Sequence, residues 1–292
     1  MIGVDLGGTR IKAGVVLQDE ITRSLSVNTD ADRGPVHVMD VIAETVLKLE
    51  AKPQAVGLAI PGGVNPEGLV WRLPNVPGFE GINVSAELSR RLGCRVVVEN
   101  DATTAALAEL HLGHGRTHGS FAMITLGTGI GGGIAIDGRL RRGRHGFAGE
   151  IGHTPIDRSP SGWPCACGLR GCVESYAGTR GLLRKYAELG GQAEEIRPIS
   201  DAARQGEPAA CATFQAMGEA LGIGLAAIQN TLDLDAIVFT GGISASFDLI
   251  EPALRASLVR NVFGPPLAEV PLLVSELGDR TGLLGAAYLT TL

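Results

Sequence analysis

IGVDLGGTRIKAGVV, residues 2–16, is an apolar run, a Gly-Gly-Thr turn and a second apolar run. Short stretches rich in Val and Ile, separated by glycine, read as strands joined by a tight turn. FAMITLGTGIGGGIAID, residues 121–137, repeats the device with little identity of sequence. Around the first copy the pattern predicts strands over 2–6, 11–17 and 20–27, then a helix over 36–50. Val38, Val41, Ile42, Val46 and Leu49 form one stripe of that helix. Buried strands follow at 55–60 and 95–99, with helices at 83–92 and 100–113, the latter begun by Asn-Asp. After the second copy, helices are expected at 174–188, 208–232 and 246–261, strands at 236–242 and 271–275, and a last helix at 281–292. Two copies of a β-β-β-α-β-α-β-α plan fit, with ligand held between them. Residues 138–173 are polar, glycine-rich and aperiodic, and an irregular stretch of that length is usually functional.

Composition narrows the classes. With 292 residues, 45% apolar and 19% charged, the chain has enough material for two packed domains. Net charge is −6 and no long Lys/Arg block stands out, so nucleic acid is not an expected partner. The start MIGVDLGGT lacks the charged and apolar regions of a secretory signal, and no apolar run is read as a membrane span. The expected location is cytoplasmic, with no membrane partner. Disulfides rarely persist there, and five cysteines are an odd count for a disulfide framework.

Three stretches place a Gly/Thr turn after an apolar strand: DLGGTRIK (5–12), LGTGIGGG (126–133) and FTGG (239–242). Glycines leave backbone N–H groups open to phosphate oxygens, and Thr9 and Thr128 add hydroxyl donors. Asp5 is placed to reach a metal on a nucleotide, and Lys12 offers a cation. Each turn alone is equally well an ordinary hairpin; three together are not. VVVENDA (96–102) ends a buried strand with Glu-Asn-Asp, and polar residues beyond a strand's carboxyl end line ligand crevices. The plain alternative for Asp101 is a helix cap.

Three of the five cysteines fall within PCACGLRGC (164–172), preceded by GEIGH (149–153). The spacing His-x11-Cys-x-Cys-x4-Cys offers His153, Cys165, Cys167 and Cys172, a full tetrahedral set for structural zinc. A Cys165–Cys172 disulfide is the alternative if the protein meets oxidant. Glu150 and Glu174 flank the set and suit vicinal hydroxyls as acceptors. Cys94 and Cys211 lie in apolar contexts and read as core residues.

Taken together, DLGGTRIKAG (5–14), ENDATTAALAE (99–109), LGTGIGGG (126–133), AGEIGH (148–153), CACGLRGCVES (165–175) and FTGGIS (239–244) resemble the ROK family (repressors, open reading frames and kinases), in its bacterial sugar-kinase branch. The cysteine motif with GEIGH is highly specific, whereas DLGGT marks the wider actin and sugar-kinase superfamily. The resemblance implies an α/β fold of two ribonuclease H-like domains (actin/hexokinase superfamily) closing an interdomain cleft over ATP, Mg²⁺ and a hexose. The implied division is 1–110 plus 280–292, and 111–279. It implies Asp101 as the catalytic base, and Gly63, Asn75, Asn100, Asp101, Glu150, His153 and Glu174 as the sugar-binding set. His153 would use one ring nitrogen for zinc and the other for sugar. Asp5, Gly7, Gly8, Thr9, Lys12, Gly127, Thr128, Gly129, Gly131, Gly241 and Gly242 face ATP and its magnesium. This chain has Arg10 where the family often has Lys. The implied reaction is transfer of the ATP γ-phosphoryl to the 6-hydroxyl of glucose or a related hexose, in carbohydrate metabolism and glycolysis. Alternatives are kinases for N-acetylmannosamine, N-acetylglucosamine, allose or fructose. A sugar-responsive transcriptional regulator is disfavoured, because the chain starts at the DLGGT strand with no helix-turn-helix before it. A homodimer or homotetramer is expected.

Overall fold

The computed structural model describes residues 1–292. The strands are β1 Ile2–Leu6, β2 Arg10–Leu17, β3 Glu20–Asn28, β4 Ala55–Ile60, β5 Gly63–Val64, β6 Val70–Arg72, β7 Arg95–Asn100, β8 Phe121–Leu126, β9 Ile130–Ile136, β10 Arg139–Arg141, β11 Ala236–Thr240 and β12 Leu272–Val274. The helices are α1 Pro35–Leu49, α2 Val84–Leu92, α3 Asp101–Leu112, α4 Val173–Ala177, α5 Thr179–Glu188, α6 Ile196–Arg204, α7 Pro208–Leu232, α8 Phe247–Asn261, α9 Pro265–Ala268 and α10 Thr281–Tyr288.

The expected repeat is present. One sheet runs β3-β2-β1-β4-β7 and the other β10-β9-β8-β11-β12. In the first, β1 pairs antiparallel with β2 and parallel with β4, which pairs parallel with β7. In the second, β11 pairs parallel with both β8 and β12. Parallel strands buried on both faces read as continuous apolar runs, as AVGLAI and FAMITL do. The stripe on α1 is buried at Val38, Ile42, Val46 and Leu49, with Val41 half-buried at its edge.

Contacts divide the chain into two compact units: Met1–Gly119 with Gly133–Gly149 and Glu276–Leu292, and Ser120–Gly132 with Glu150–Ser275. The expected division placed 111–119, 133–149 and 276–279 in the second domain, and 133–149 is the longest of these stretches. Within the first unit, residues 133–149 are anchored by three features. Gly133 abuts α3, where an added Cβ would lie 2.5 Å from Ala106 Cβ. Gly146 abuts the Val64 carbonyl, and Arg142 is ion-paired with Glu99.

Other expectations change locally. The helix over 174–188 is two helices, α4 and α5, separated at Gly178 in extended conformation. Helix α6 (196–204) had no strong signal. Residues 150–153 form only a single 3-10 turn, with Glu150 at its start. Cys211 is exposed rather than in the core, because it lies on the outer face of α7; Cys94 is half-buried. Helix α7 is long and apolar enough, by length and composition, to cross a membrane, which corrects the reading that no run is. More than half of that stretch is buried: Phe214, Met217, Leu221 and Leu225 face the interior, and Gly218 and Gly222 lie against α8.

Helix α10 returns to the first unit and lies on β1, β4 and α3. The approach is backbone to backbone. A Cβ on Gly57 would sit 1.7 Å from the Ala286 carbonyl oxygen, and one on Gly285 would sit 2.0 Å from that of Thr104. Gly57→Ala therefore forces α10 off the sheet. Overpacking of this kind costs about 1–3 kcal/mol or more. Thermal unfolding should show a clearly lowered Tm for Gly57→Ala and an unchanged one for Gly242→Ala, whose Cβ meets nothing within 4 Å.

Candidate active site

In the first unit, β7 delivers Glu99, Asn100 and Asp101 to the start of α3. Asn100 is the residue that caps α3: its Oδ1 accepts Thr103 N–H at 3.0 Å. Its Nδ2 donates to the Gly62 carbonyl at 3.1 Å and to Asp101 Oδ1 at 3.1 Å. Asp101 Oδ1 also accepts Ala102 N–H at 2.8 Å, and the residue is exposed. The cap reading of Asp101 thus passes to its neighbour. Asp101 holds a fixed, exposed carboxylate at the positive end of a helix.

The turn between β1 and β2 is closed by Gly7 N–H donating to the Arg10 carbonyl at 2.9 Å. Asn75 lies beside it: a Cβ on Gly8 would be 3.2 Å from Asn75 Cβ. Thr9 is exposed. Arg10 is turned onto β3, donating to Ser26 Oγ, the Ser26 carbonyl and Asn28 Oδ1. Lys12 stands opposite Asp5 across β1 and β2. Burial pushes the Asp5 carboxyl above its ordinary value, and Lys12 partly opposes the rise. Of the two basic residues, Lys12 is the one paired with Asp5. Gly63, in β5, sits against the Phe147 ring.

In the second unit, the turn after β8 carries Gly127, Thr128, Gly129 and Gly131. Gly127 N–H donates to the Gly129 carbonyl at 3.0 Å, and Gly131 N–H to Thr125 Oγ1 at 3.1 Å. Thr179, at the start of α5, donates to the Gly127 carbonyl through both N–H and Oγ1. Nothing in the sequence pattern marked Thr179, because its partner is 52 residues away. Gly241 adjoins this turn, with φ of 91° and room for no Cβ beside the Leu126 carbonyl. Gly242 is exposed.

Glu174 Oε2 accepts Ile130 N–H at 3.0 Å, and its Oε1 is 3.6 Å from Cys165 Sγ. It therefore ties the glycine turn to the cysteine loop while keeping further lone pairs. Burial pushes the Glu150 carboxyl up. His153 opposes the rise and Glu174 adds to it.

His153, Cys165, Cys167 and Cys172 place one ligand atom each within 4.8 Å of one another. His153 Nδ1 is 3.5 Å from Cys165 Sγ, and Cys167 Sγ is 3.8 Å from Cys172 Sγ. Tetrahedral zinc, with Zn–S near 2.3 Å and Zn–N near 2.0–2.1 Å, separates two sulfurs by about 3.8 Å and nitrogen from sulfur by about 3.5 Å. The set fits such an ion. His153 Nε2 points the other way, 3.7 Å from Glu150 Oε2. Burial pushes the Cys172 thiol up to about 12 and raises Cys165 as well, so a cation is what would favour thiolates here. Around the set, Tyr176 Oη donates to Asp157 at 2.6 Å and accepts Trp163 N–H at 3.0 Å, while its ring stacks on Trp163.

Two sheets with the same strand order, each with a glycine turn after the first of its strands in the chain, define the actin/hexokinase ATPase fold. The chain belongs to the ROK family, whose model matches residues 1–291. It is 38% identical to a glucokinase of Streptomyces coelicolor over 99% of this chain and 96% of that protein. It is 33% identical to a glucokinase of Thermotoga maritima over 98% of this chain and 96% of that protein. Among solved structures, the ROK family glucokinase of Streptomyces griseus in complex with glucose and AMPPNP matches with a TM-score of 0.82 and 36% identity, covering 99% of this chain and 98% of that one.

Metal analysis of the reduced protein should find one zinc per chain, lost in Cys172→Ser. Limited proteolysis of that variant should open residues 154–171 and leave 133–149 protected, since the latter has its own anchors on β5, β7 and α3. Gly127→Val tests whether this turn takes phosphate without disturbing the fold, because its Cβ meets nothing within 4 Å. Loss of one charge-assisted N–H contact, about 1.5–3 kcal/mol, should raise the ATP dissociation constant roughly ten- to hundredfold with Tm unchanged. Gly7→Val is a poorer probe: its Cβ would sit 2.9 Å from the Arg10 carbonyl oxygen and strain the turn.

Proposed function

We propose that this protein is an ATP-dependent hexose kinase acting on the 6-hydroxyl of glucose or a closely related hexose. The observation that carries this reading is Asp101: an exposed carboxylate at the start of α3, oriented by Asn100 and Ala102 N–H, in a helix that Asn100 already caps. Likeness to glucokinases over nearly the whole chain supports it. Asp101 accepts the proton of the attacking hydroxyl. Asn100, Gly63, Asn75, Glu150, His153 and Glu174 hold the remaining hydroxyls. Glu150 and Glu174 act as acceptors, and His153 presents Nε2 while Nδ1 faces the metal set.

On the nucleotide side, Gly7, Gly8 and Thr9 form one phosphate turn. Gly127, Thr128, Gly129 and Gly131 form another, and Gly241 with Gly242 a third. Lys12 supplies a positive charge. Asp5 would hold the magnesium that accompanies ATP, and the ion would supply charge neutralisation on the phosphates. Phosphoryl transfer runs through a loose transition state, so positioning and charge neutralisation outweigh covalent chemistry. Zinc bound by His153, Cys165, Cys167 and Cys172 would be structural, tying one end of the loop, His153, to the other, Cys172. The cytoplasm is the proposed location, with no nucleic-acid or membrane partner, and the protein is proposed to be a homodimer or homotetramer.

A coupled ADP-release assay over a panel of glucose, mannose, fructose, allose and the N-acetylhexosamines identifies the substrate. Asp101→Asn keeps an acceptor for Ala102 N–H but cannot take the proton. Loss of a general base costs about 10²–10⁴ in rate. kcat on the best hexose should fall by that order, with sugar and ATP affinities and Tm nearly unchanged. Activity within a few-fold of wild type would remove Asp101 as the base.

A further inference from the structure

A second carboxylate, this one buried, stands one residue before the proposed base. Glu99 is 1% exposed on its side chain and is bonded at both oxygens. Its Oε1 accepts Asn100 N–H at 2.8 Å, and its Oε2 is paired with Nε of Arg142. Arg142 comes from the segment after β10, 43 residues away. It belongs to the one arginine-rich stretch of this acidic chain, Arg139, Arg141, Arg142 and Arg144. Its three companions are exposed, whereas Arg142 is turned inward.

Burial pushes the Glu99 carboxyl up, and the guanidinium works against that rise. A buried ion pair is weak evidence for stability, because desolvation offsets much of the attraction. This pair is dearer than most: Arg142 Nη2 is buried and has no hydrogen-bond partner. An apolar pair of similar volume would hold the fold about as well. What an apolar pair would not supply is direction.

The bonds form a relay. Arg142 Nε–H donates to Glu99 Oε2, Glu99 Oε1 accepts Asn100 N–H, and Asn100 Nδ2–H donates to Asp101 Oδ1. Three hydrogen bonds thus run from a charged residue on a distant segment to the carboxylate of Asp101. The segment is stiff where it bears Arg142: Ala148 N–H donates to the Arg142 carbonyl, and Gly143, with φ of 74°, packs against Ala148.

We infer that Arg142 is a positioning residue for phosphoryl transfer: through Glu99 and Asn100 it sets the orientation of the Asp101 carboxylate. The inference rests on Asp101 as the base. Misplacement of a reacting group by about 1 Å costs roughly a hundredfold in rate.

Two variants test it. Arg142→Lys keeps the charge and most of the stem but loses the Nε donor. Its kcat should fall roughly ten- to hundredfold, with the KM for ATP within about twofold and Tm close to wild type. The double variant Glu99→Gln/Arg142→Met removes both charges and leaves Gln an acceptor for Asn100 N–H. Its Tm should match or exceed that of wild type while kcat stays low. A merely structural pair makes the opposite forecast, with rate recovering along with stability. Wild-type kcat in Arg142→Lys, or in a stable double variant, would overturn the assignment. Asp101→Asn measured alongside separates the two claims. If it is fully active, the base assignment fails. If it is inactive while Arg142→Lys is fully active, only the role of Arg142 fails.

Discussion

The close approach of α10 to the first sheet is the constraint on which the rest of that unit depends. Carbonyl oxygens of Leu283 and Ala286 lie where side chains on Gly3 and Gly57 would otherwise be. The last residues of the chain therefore complete the core begun by the first. The same helix reaches the end of β1, because Gly282 packs against the Asp5 carboxylate and helps to bury it. A shift of α10 would act on β1, and through β1 on the geometry of the DLGGT turn.

Polar residues at strand ends divide their labour in a similar way. Asn and Asp cap helices about equally well. At the start of α3, Asn100 takes the cap and a strut to Gly62, which leaves the Asp101 carboxylate oriented but exposed. In the second unit, Glu174 joins the Ile130 N–H to the neighbourhood of Cys165. Cysteine loop and glycine turn are thus tied by one side chain, so the order of one bears on the shape of the other. Tyr176, Trp163 and Asp157 add a stacked ring pair and two hydrogen bonds to the same loop.

Much was legible in the sequence by itself, for a physical reason: it was encoded in neighbours. Strands announced by Val and Ile runs, helices by a 3.6-residue stripe, glycine turns by composition, and the ligand set by the spacing of His153, Cys165, Cys167 and Cys172 all depend on residues close along the chain. The repeat of strand, turn and strand was enough to indicate two like sheets. Tertiary structure alone decided what rests on partners far apart. It assigned residues 133–149 to the first unit, through Gly133 on α3, Gly146 on β5 and Arg142 on Glu99. It turned Arg10 onto β3 and left Lys12 opposite Asp5. It broke one expected helix at Gly178, where a Cβ would meet the Glu174 and Thr128 carbonyls, and it buried α7 despite a composition fit for a membrane. It also set which glycines have room for a side chain: Gly127 and Gly242 have open space, while Gly7 and Gly57 face carbonyl oxygens. None of these has a local signature, because each is set by an atom that chain folding, and not chain order, brings near.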